Sequence, residues 1–219
     1  MQKKQSVTLL SPFSAAYWRE SVKALKNVRV LALMALLIAV SIVISGFYVP
    51  VAQNLRVYFT FIATSVAGWI GGPLTALVYG FVSDILGFVI HPSGGFFPGY
   101  TLSSMLGALL YALFFFRAKI SIPRIFLCKL SVNLLVNILL GSVWSAVLYS
   151  KGYYYYFVNS IVKNLLLLPL ETVIMAVIIG AMLPVAVKAG MAPAQQLSFT
   201  ERWQSAGRKL KAFCSKKSV

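Results

Sequence analysis

The sequence has few acidic residues, one histidine and two cysteines, and each shortage excludes a class of protein. Asp and Glu number only 4 in 219 residues, while 59% of positions are hydrophobic. This leaves too little charge to cover a soluble globule of that size. The cysteines, Cys128 and Cys214, lie far apart without metal-ligand spacing, so neither a disulfide framework nor a zinc site is expected.

Motifs for catalysis and for nucleotide hydrolysis are also missing. No GxxxxGK[ST] sequence occurs, so we expect any ATP-driven step to take place in another subunit. A single histidine, His91, rules out the usual His-rich metal triad, and it precedes Pro92, where a loop residue is more plausible than a catalytic one. We therefore expect no catalytic residue, metal or cofactor, and a membrane enzyme or a structural scaffold stays as the alternative from another class.

Long uncharged runs predict an all-α integral membrane protein with six transmembrane helices. The second and third helices are separated by Gly71-Gly72-Pro73, because proline removes a helix hydrogen bond and the glycines favour a reversal. The predicted spans cover about 29–46, 55–70, 73–90, 100–116, 125–149 and 159–187. A short interfacial helix is expected within 13–29, and the tyrosines of the loop SKGYYYYF are expected at the membrane surface.

The basic residues give this layout an orientation. The net charge is +16, and 17 of the 20 Lys and Arg residues fall on one side of the six spans if Lys129 is counted with the loop between the fourth and fifth. By the positive-inside rule both termini are cytoplasmic, so the charge indicates sidedness and contact with the lipid bilayer rather than a nucleic acid partner. The expected divisions are an interfacial segment 1–27, a membrane domain 28–187 and a basic tail 188–219.

One stretch, residues 84–107, does not suit a helix that faces lipid. Its sequence DILGFVIHPSGGFFPGYTLSSMLG combines an acid with a loop of glycine, proline and aromatic residues. Such a loop has backbone groups that hydrocarbon cannot satisfy, so something polar must meet it.

Four charged residues fall in or near the predicted spans, namely Arg56, Asp84, Lys163 and Glu171. Charges in a membrane are costly unless they are paired or hydrated, and they often mark a functional site. Structural pairing is the alternative, with Asp84 bound to Arg56 or Lys163, and with Glu171 bound to Lys163 or to an amide of the fifth span.

The fifth span carries a polar stripe at helical spacing, formed by Asn133, Asn137, Gly141 and Trp144. Such stripes also bind helices to each other, so interhelical packing is an equal alternative. Other residues expected near the outer ends of the spans would close a cavity with it: Arg56, Asp84, Phe96, Phe97, Tyr100, Lys163 and Asn164. Its aromatic walls, amides and cations suit an anionic, partly aromatic small molecule.

The first span has small residues on one face, Ala32, Ala35 and Ala39, within the otherwise bulky sequence ALMALLIAV. Small residues permit the close approach of another helix, which could belong to a partner or to the same chain.

These segments together resemble a known family, the substrate-binding S components of energy-coupling factor (ECF) vitamin transporters, and within it the folate-specific type. The likeness covers about residues 28–187 and is carried by AxxxA at Ala35 and Ala39, by NLRVYFTFI, by HPSGGFFPGYTLSSMLGALLYALFF, by KNLLLLPLE and by the Asn133, Asn137 and Trp144 pattern. The loop combined with LRVYFTF and KNLLLLPLE is the most specific part.

The resemblance implies a prokaryotic plasma-membrane protein that binds folate from outside. It would dock through Ala32, Ala35 and Ala39 onto a transmembrane coupling subunit, EcfT, which carries two ATPase subunits, and would then topple to release its ligand. The ligand contacts expected on this basis are Arg56, Asp84, Ser93, Phe96, Phe97, Tyr100, Asn133, Asn137, Trp144, Lys163 and Asn164. An S component for another vitamin or base is the alternative within transport.

Overall fold

The chain folds into a bundle of apolar helices with a short amphipathic helix packed at one end. The computed structural model describes residues 9–46, 48–52, 55–92, 95–149, 152–196 and 199. The helices are α1 Ala15–Leu25, α2 Val28–Ser45, α3 Phe61–Ile90, α4 Pro98–Phe115, α5 Ile122–Val132, a π-helix Asn133–Leu140, α6 Gly141–Leu148 and α7 Tyr153–Lys188. Five helical stretches of this described part are long and apolar enough to cross a membrane, which confirms the predicted helical membrane fold.

The predicted break between the second and third spans lies inside α3. Gly72 has φ 75° and ψ 178°, a conformation that is open to glycine but strained for other residues. The backbone at Gly68 approaches Ala112, that at Gly80 approaches Ser104, and Gly72 faces the ring of Phe116. Both arms of α3 therefore run along α4 on the same side of Phe116, so the chain turns back at Gly72. Division of α3 at this point turns the five long apolar stretches of the described residues into six segments.

The second span is shorter than predicted. Residues 55–58 form a strand, β2 Leu55–Tyr58, which pairs antiparallel with β1 Tyr48–Ala52, and the first arm of α3 begins only at Phe61. The β-branched and aromatic residues of LRVY suit a strand better than a helix end. At 1.5 Å per residue the arm 61–71 is about 16 Å long, so it crosses only about half of a hydrocarbon core.

Two further boundaries differ from those expected. α7 begins at Tyr153, so the tyrosines predicted to form a loop make up its first turn. Tyrosines at the membrane surface can lie on a helix as well as in a loop, because only their depth in the bilayer matters. The fifth span is not a uniform α-helix, because Asn133–Leu140 form π-type turns, a local widening that is common at functional sites.

Two basic parts of the chain, α1 and the loop after α4, meet at one end of the bundle, here called the basic end. The hydroxyl of Tyr17 in α1 donates to the carbonyl of Ala112 at 3.0 Å, and the hydroxyl of Ser21 accepts from the backbone N–H of Leu74 at 3.0 Å. Arg117 pairs with Glu20 at 3.3 Å; burial lowers the pKa of this arginine, and the carboxylate of Glu20 partly offsets the shift. The opposite end, here called the far end, carries the hairpin, His91, Pro98 and Tyr149.

Candidate functional site

An aromatic group forms where α4 begins and α6 passes it at the far end. Pro98 starts α4, which suits proline because the first turn has no N–H partner inside the helix. The ring of Phe97 lies edge-on to Trp144 at 5.5 Å between centroids and to Tyr100 at 5.8 Å. The indole N–H of Trp144 donates to the hydroxyl of Ser103 at 2.9 Å, which fixes the plane of the ring. The structure thus brings together three of the predicted ligand contacts.

Phe96 and Asp84 lie at the same end but are engaged differently from the expected cavity wall. Phe96 packs edge-on against Phe88 at 5.3 Å and is about half exposed. The carboxylate of Asp84 accepts hydrogen bonds from Thr101 at 2.6 Å and from Ser104 at 3.0 Å. Asp84 therefore binds the two α4 hydroxyls and helps to hold α3 against α4.

Deeper in the bundle, Lys129 and Glu171 form a buried ion pair. Their side chains are 2% and 10% exposed, and the ammonium lies 3.2 Å from the carboxylate. The ammonium also donates to the hydroxyl of Tyr111 at 3.4 Å and sits 4.1 Å above the ring of Phe61. Three elements, α3, α4 and α7, thus supply the groups that contact the ammonium of Lys129 on α5.

The counting of Lys129 with the cytoplasmic loop was wrong, because this residue lies within α5 and inside the bundle. The amide expected as a partner of Glu171 is found in Asn133, and the carboxylate also forms an ion pair with Lys129. The position of Lys129 four residues before Asn133, in the apolar sequence FLCKLSVNLL, was the signal that could have revealed it, since i and i+4 share a helix face.

Three asparagines continue from the ion pair towards the far end. The amide nitrogen of Asn133 donates to Glu171 at 3.0 Å and to the backbone carbonyl of Asn164 at 3.3 Å. The amide nitrogen of Asn137 donates to the side-chain oxygens of Asn133 at 2.8 Å and of Asn164 at 3.3 Å. Asn133 and Asn164 are buried and Asn137 is half-buried, so Asn137 is the most accessible member of the network. Three predicted ligand contacts therefore form one connected network.

The remaining predicted contacts are Arg56, Ser93 and Lys163. Arg56 lies on β2 opposite Pro50, but its side chain is outside the described part of the structure, and Ser93 lies outside the described residues. Lys163 is half-buried on α7, next to Asn164.

His91 is exposed at the end of α3, and the described residues contain no cluster of three or more His, Cys, Asp or Glu that could bind a metal.

The three alanines of α2 lie on the outside of the bundle. Ala32, Ala35 and Ala39 are all exposed, whereas α2 packs against the bundle through its buried residues Val30, Met34, Leu37 and Ser41. Packing within the described part of the chain therefore does not account for Ala32 and Ala39, whereas Ala35 also borders a cavity beside α3.

A cavity of about 160 Å³ lies between α2 and the second arm of α3, away from the aromatic group. It is lined by Leu25, Leu31, Met34, Ala35, Ile38, Thr75, Val78, Tyr79 and Val82. An almost wholly apolar lining does not suit an anionic ligand, so the aromatic group and the asparagine network remain the candidate site.

Comparison with known proteins gives consistent results. No family model matches the chain. The Folate transporter FolT of Clostridium novyi is 35% identical over 150 residues, which cover 68% of this chain and 87% of that protein. The Folate transporter FolT of Leuconostoc mesenteroides is 31% identical over 152 residues, with 66% and 81% covered. A crystal structure of FolT bound with folic acid matches with a TM-score of 0.63 and 31% identity, over 68% of this chain and 91% of that one.

Proposed function

Because the chain belongs to the FolT family of folate transporters, we propose that it binds folate at the far end of the bundle and serves as the S component of an ECF-type vitamin importer. The observation that carries the proposal is the match to a FolT structure bound with folic acid, since 91% of that chain is covered. The relatives are named as transporters rather than as enzymes, so binding and delivery, not catalysis, is the activity to be explained.

The geometry of the far end supports a flat, partly aromatic ligand. Folate has a pterin ring, a benzoyl group and a glutamate with two carboxylates. The rings of Phe97, Tyr100 and Trp144 offer edges and faces for the flat part. The half-buried amide of Asn137 offers hydrogen bonds to the ring edge, and the cations Arg56 and Lys163 would attract the carboxylates.

Delivery requires a partner, because the sequence contains no nucleotide-binding motif. The exposed face of Ala32, Ala35 and Ala39 would let a helix of a coupling subunit of the EcfT type approach closely, and two ATPase subunits attached to that partner would supply the energy. The membrane would be the plasma membrane of a prokaryote, with the basic end in the cytoplasm.

Calorimetry of the purified chain in lipid nanodiscs tests the ligand. We expect saturable binding of folate and no measurable binding of riboflavin, biotin or thiamine at the same concentrations. Tight binding of one of those three vitamins in the absence of folate binding would replace folate with another substrate of the same transporter class. No binding of any of the four would overturn the assignment as a vitamin-binding subunit.

A further inference from the structure

The orientation of each amide in the asparagine network follows from the charge at its deep end. Lys129 stabilises Glu171 as a carboxylate, and a carboxylate only accepts hydrogen bonds. Asn133 must therefore turn its amide nitrogen towards Glu171, as observed at 3.0 Å. That leaves the side-chain oxygen of Asn133 to accept a hydrogen bond from its neighbour.

Asn137, at the half-buried end of the network, is oriented in the same way. The nitrogen of Asn137 faces two acceptors, the side-chain oxygens of Asn133 and Asn164. Asn164 is held with its oxygen in that direction because its own nitrogen donates to the carbonyl of Ser160 at 2.8 Å. If Asn137 were flipped, its oxygen would meet two other oxygens at about the same distances. Because the nitrogen of Asn137 is the atom that meets both acceptors, its Oδ1 atom is directed away from them and stays available to accept a hydrogen bond from a ligand.

We propose that the Lys129–Glu171 pair is a positioning device that fixes Asn137 Oδ1 as an acceptor, and that this atom selects ligands with a donor at the matching position. The inference deepens the proposed function and rests on it. In folate the donor is the amino group on the pterin ring. A ligand with an acceptor there would meet a carbonyl oxygen that cannot turn away, so the network discriminates by repulsion as well as by attraction.

A comparison of two ligands on the unaltered protein tests the role of the ring amino group. The dissociation constants of folate and of an analogue in which a methyl group replaces the ring amino group are measured for the unaltered protein by calorimetry. We expect folate to bind about 10- to 100-fold more tightly, because the analogue leaves a buried acceptor unpaired. Equal affinities would overturn the inference while leaving the proposed function intact. A lack of folate binding would overturn both.

Variants then test the network. In Asn137→Leu the preference for folate over the analogue should fall to about one, since the acceptor is gone. In Glu171→Gln the preference should fall as well, because Lys129 can only donate and would hold the glutamine oxygen. The glutamine nitrogen would then face Asn133, so the acceptor that orients the Asn133 amide is lost. The matched control is Asn159→Ala, which lies on α7 like Glu171 and whose amide nitrogen donates to the backbone carbonyl of Tyr155 rather than to the network. It should keep the full preference.

The affinity ratio separates positioning from a purely structural role, since general loosening of the bundle would weaken folate and the analogue alike. A Glu171→Gln variant that keeps the full preference would show that the ion pair does not set the orientation of Asn137. If that variant does not fold, the ratio in Asn137→Leu, together with the two ligands on the unaltered protein, still decides whether Asn137 is the selecting acceptor.

Discussion

Lys129 and Glu171 form a buried ion pair that needs further polar contacts to be stable, because both charges are removed from water inside an apolar bundle. Desolvation costs several kcal/mol for each ion, and attraction between the ions offsets that cost only when further hydrogen bonds complete the site. Here Tyr111, Asn133 and the ring of Phe61 supply those contacts. The pair is therefore stable as a unit and intolerant of the loss of one member.

Replacement of one member tests this dependence. Lys129→Met should lower the free energy of unfolding by about 3–5 kcal/mol, because Glu171 is left buried without its counter-ion. The double variant Lys129→Met with Glu171→Gln should recover much of that loss. Thermal unfolding of both in nanodiscs measures the difference, with the exposed Lys188→Met as a control. A single variant as stable as its double variant would contradict the account.

A second residue-scale test concerns Gly99, which has no room for a side chain. A Cβ atom there would lie 2.8 Å from Cδ2 of Trp144 and would collide with the ring of Phe97. Gly99→Ala should weaken folate binding by about twofold to tenfold, since it moves the aromatic group that is proposed to hold the ring. Gly107→Ala, on the same helix and with nothing within 4 Å, is the matched control and should bind normally. Unchanged binding in both would exclude Phe97 and Trp144 from the site.

At the scale of elements, α1 supports the turn between the two arms of α3. The second arm begins at Pro73, so its first N–H groups have no partners within the helix. Ser21 of α1 supplies one, accepting from the N–H of Leu74, and its own side chain is fully buried. The short amphipathic helix is thus part of the bundle as well as a membrane-surface element.

Removal of this hydrogen bond should be measurable. Ser21→Ala should destabilise the protein by about 1–3 kcal/mol, or roughly 2–12 °C in Tm for a chain of this length, because a buried N–H loses its acceptor. Ser11→Ala, exposed in the segment before α1, should leave Tm unchanged. Equal Tm values for the two variants would show that α1 does not support the turn.

The elements could be predicted from the sequence where one physical signal dominated. Uncharged runs located the helices, and Gly72-Pro73 located the turn, since both effects are local in the chain. The strand at 55–58 was missed because its pairing with 48–52 is a contact between segments. The location of Lys129 was missed because charge counting cannot distinguish a loop cation from a buried one whose partner, Glu171, lies 42 residues away in the sequence.

For the whole molecule, the exposed alanine face and the far-end site are expected to serve different steps. Ala35→Trp and Ala39→Trp should retain folate binding and abolish folate uptake in cells that contain the coupling subunits, because a bulky side chain at either position blocks close helix approach at a distance from the far-end site. The control is Val40→Trp, an exposed position on a neighbouring side of α2. Uptake at the normal rate in Ala35→Trp and Ala39→Trp would remove the docking role, and loss of binding in them would show that the two surfaces are not separate.

The assignment of the far end as the folate site is the central claim, and a structure of this chain with folate bound tests it most directly. The account predicts the pterin ring against Phe97 and Trp144, with its amino nitrogen within about 3.2 Å of Asn137 Oδ1. Folate found between α2 and the second arm of α3, in the apolar cavity beside Ala35, would contradict the claim.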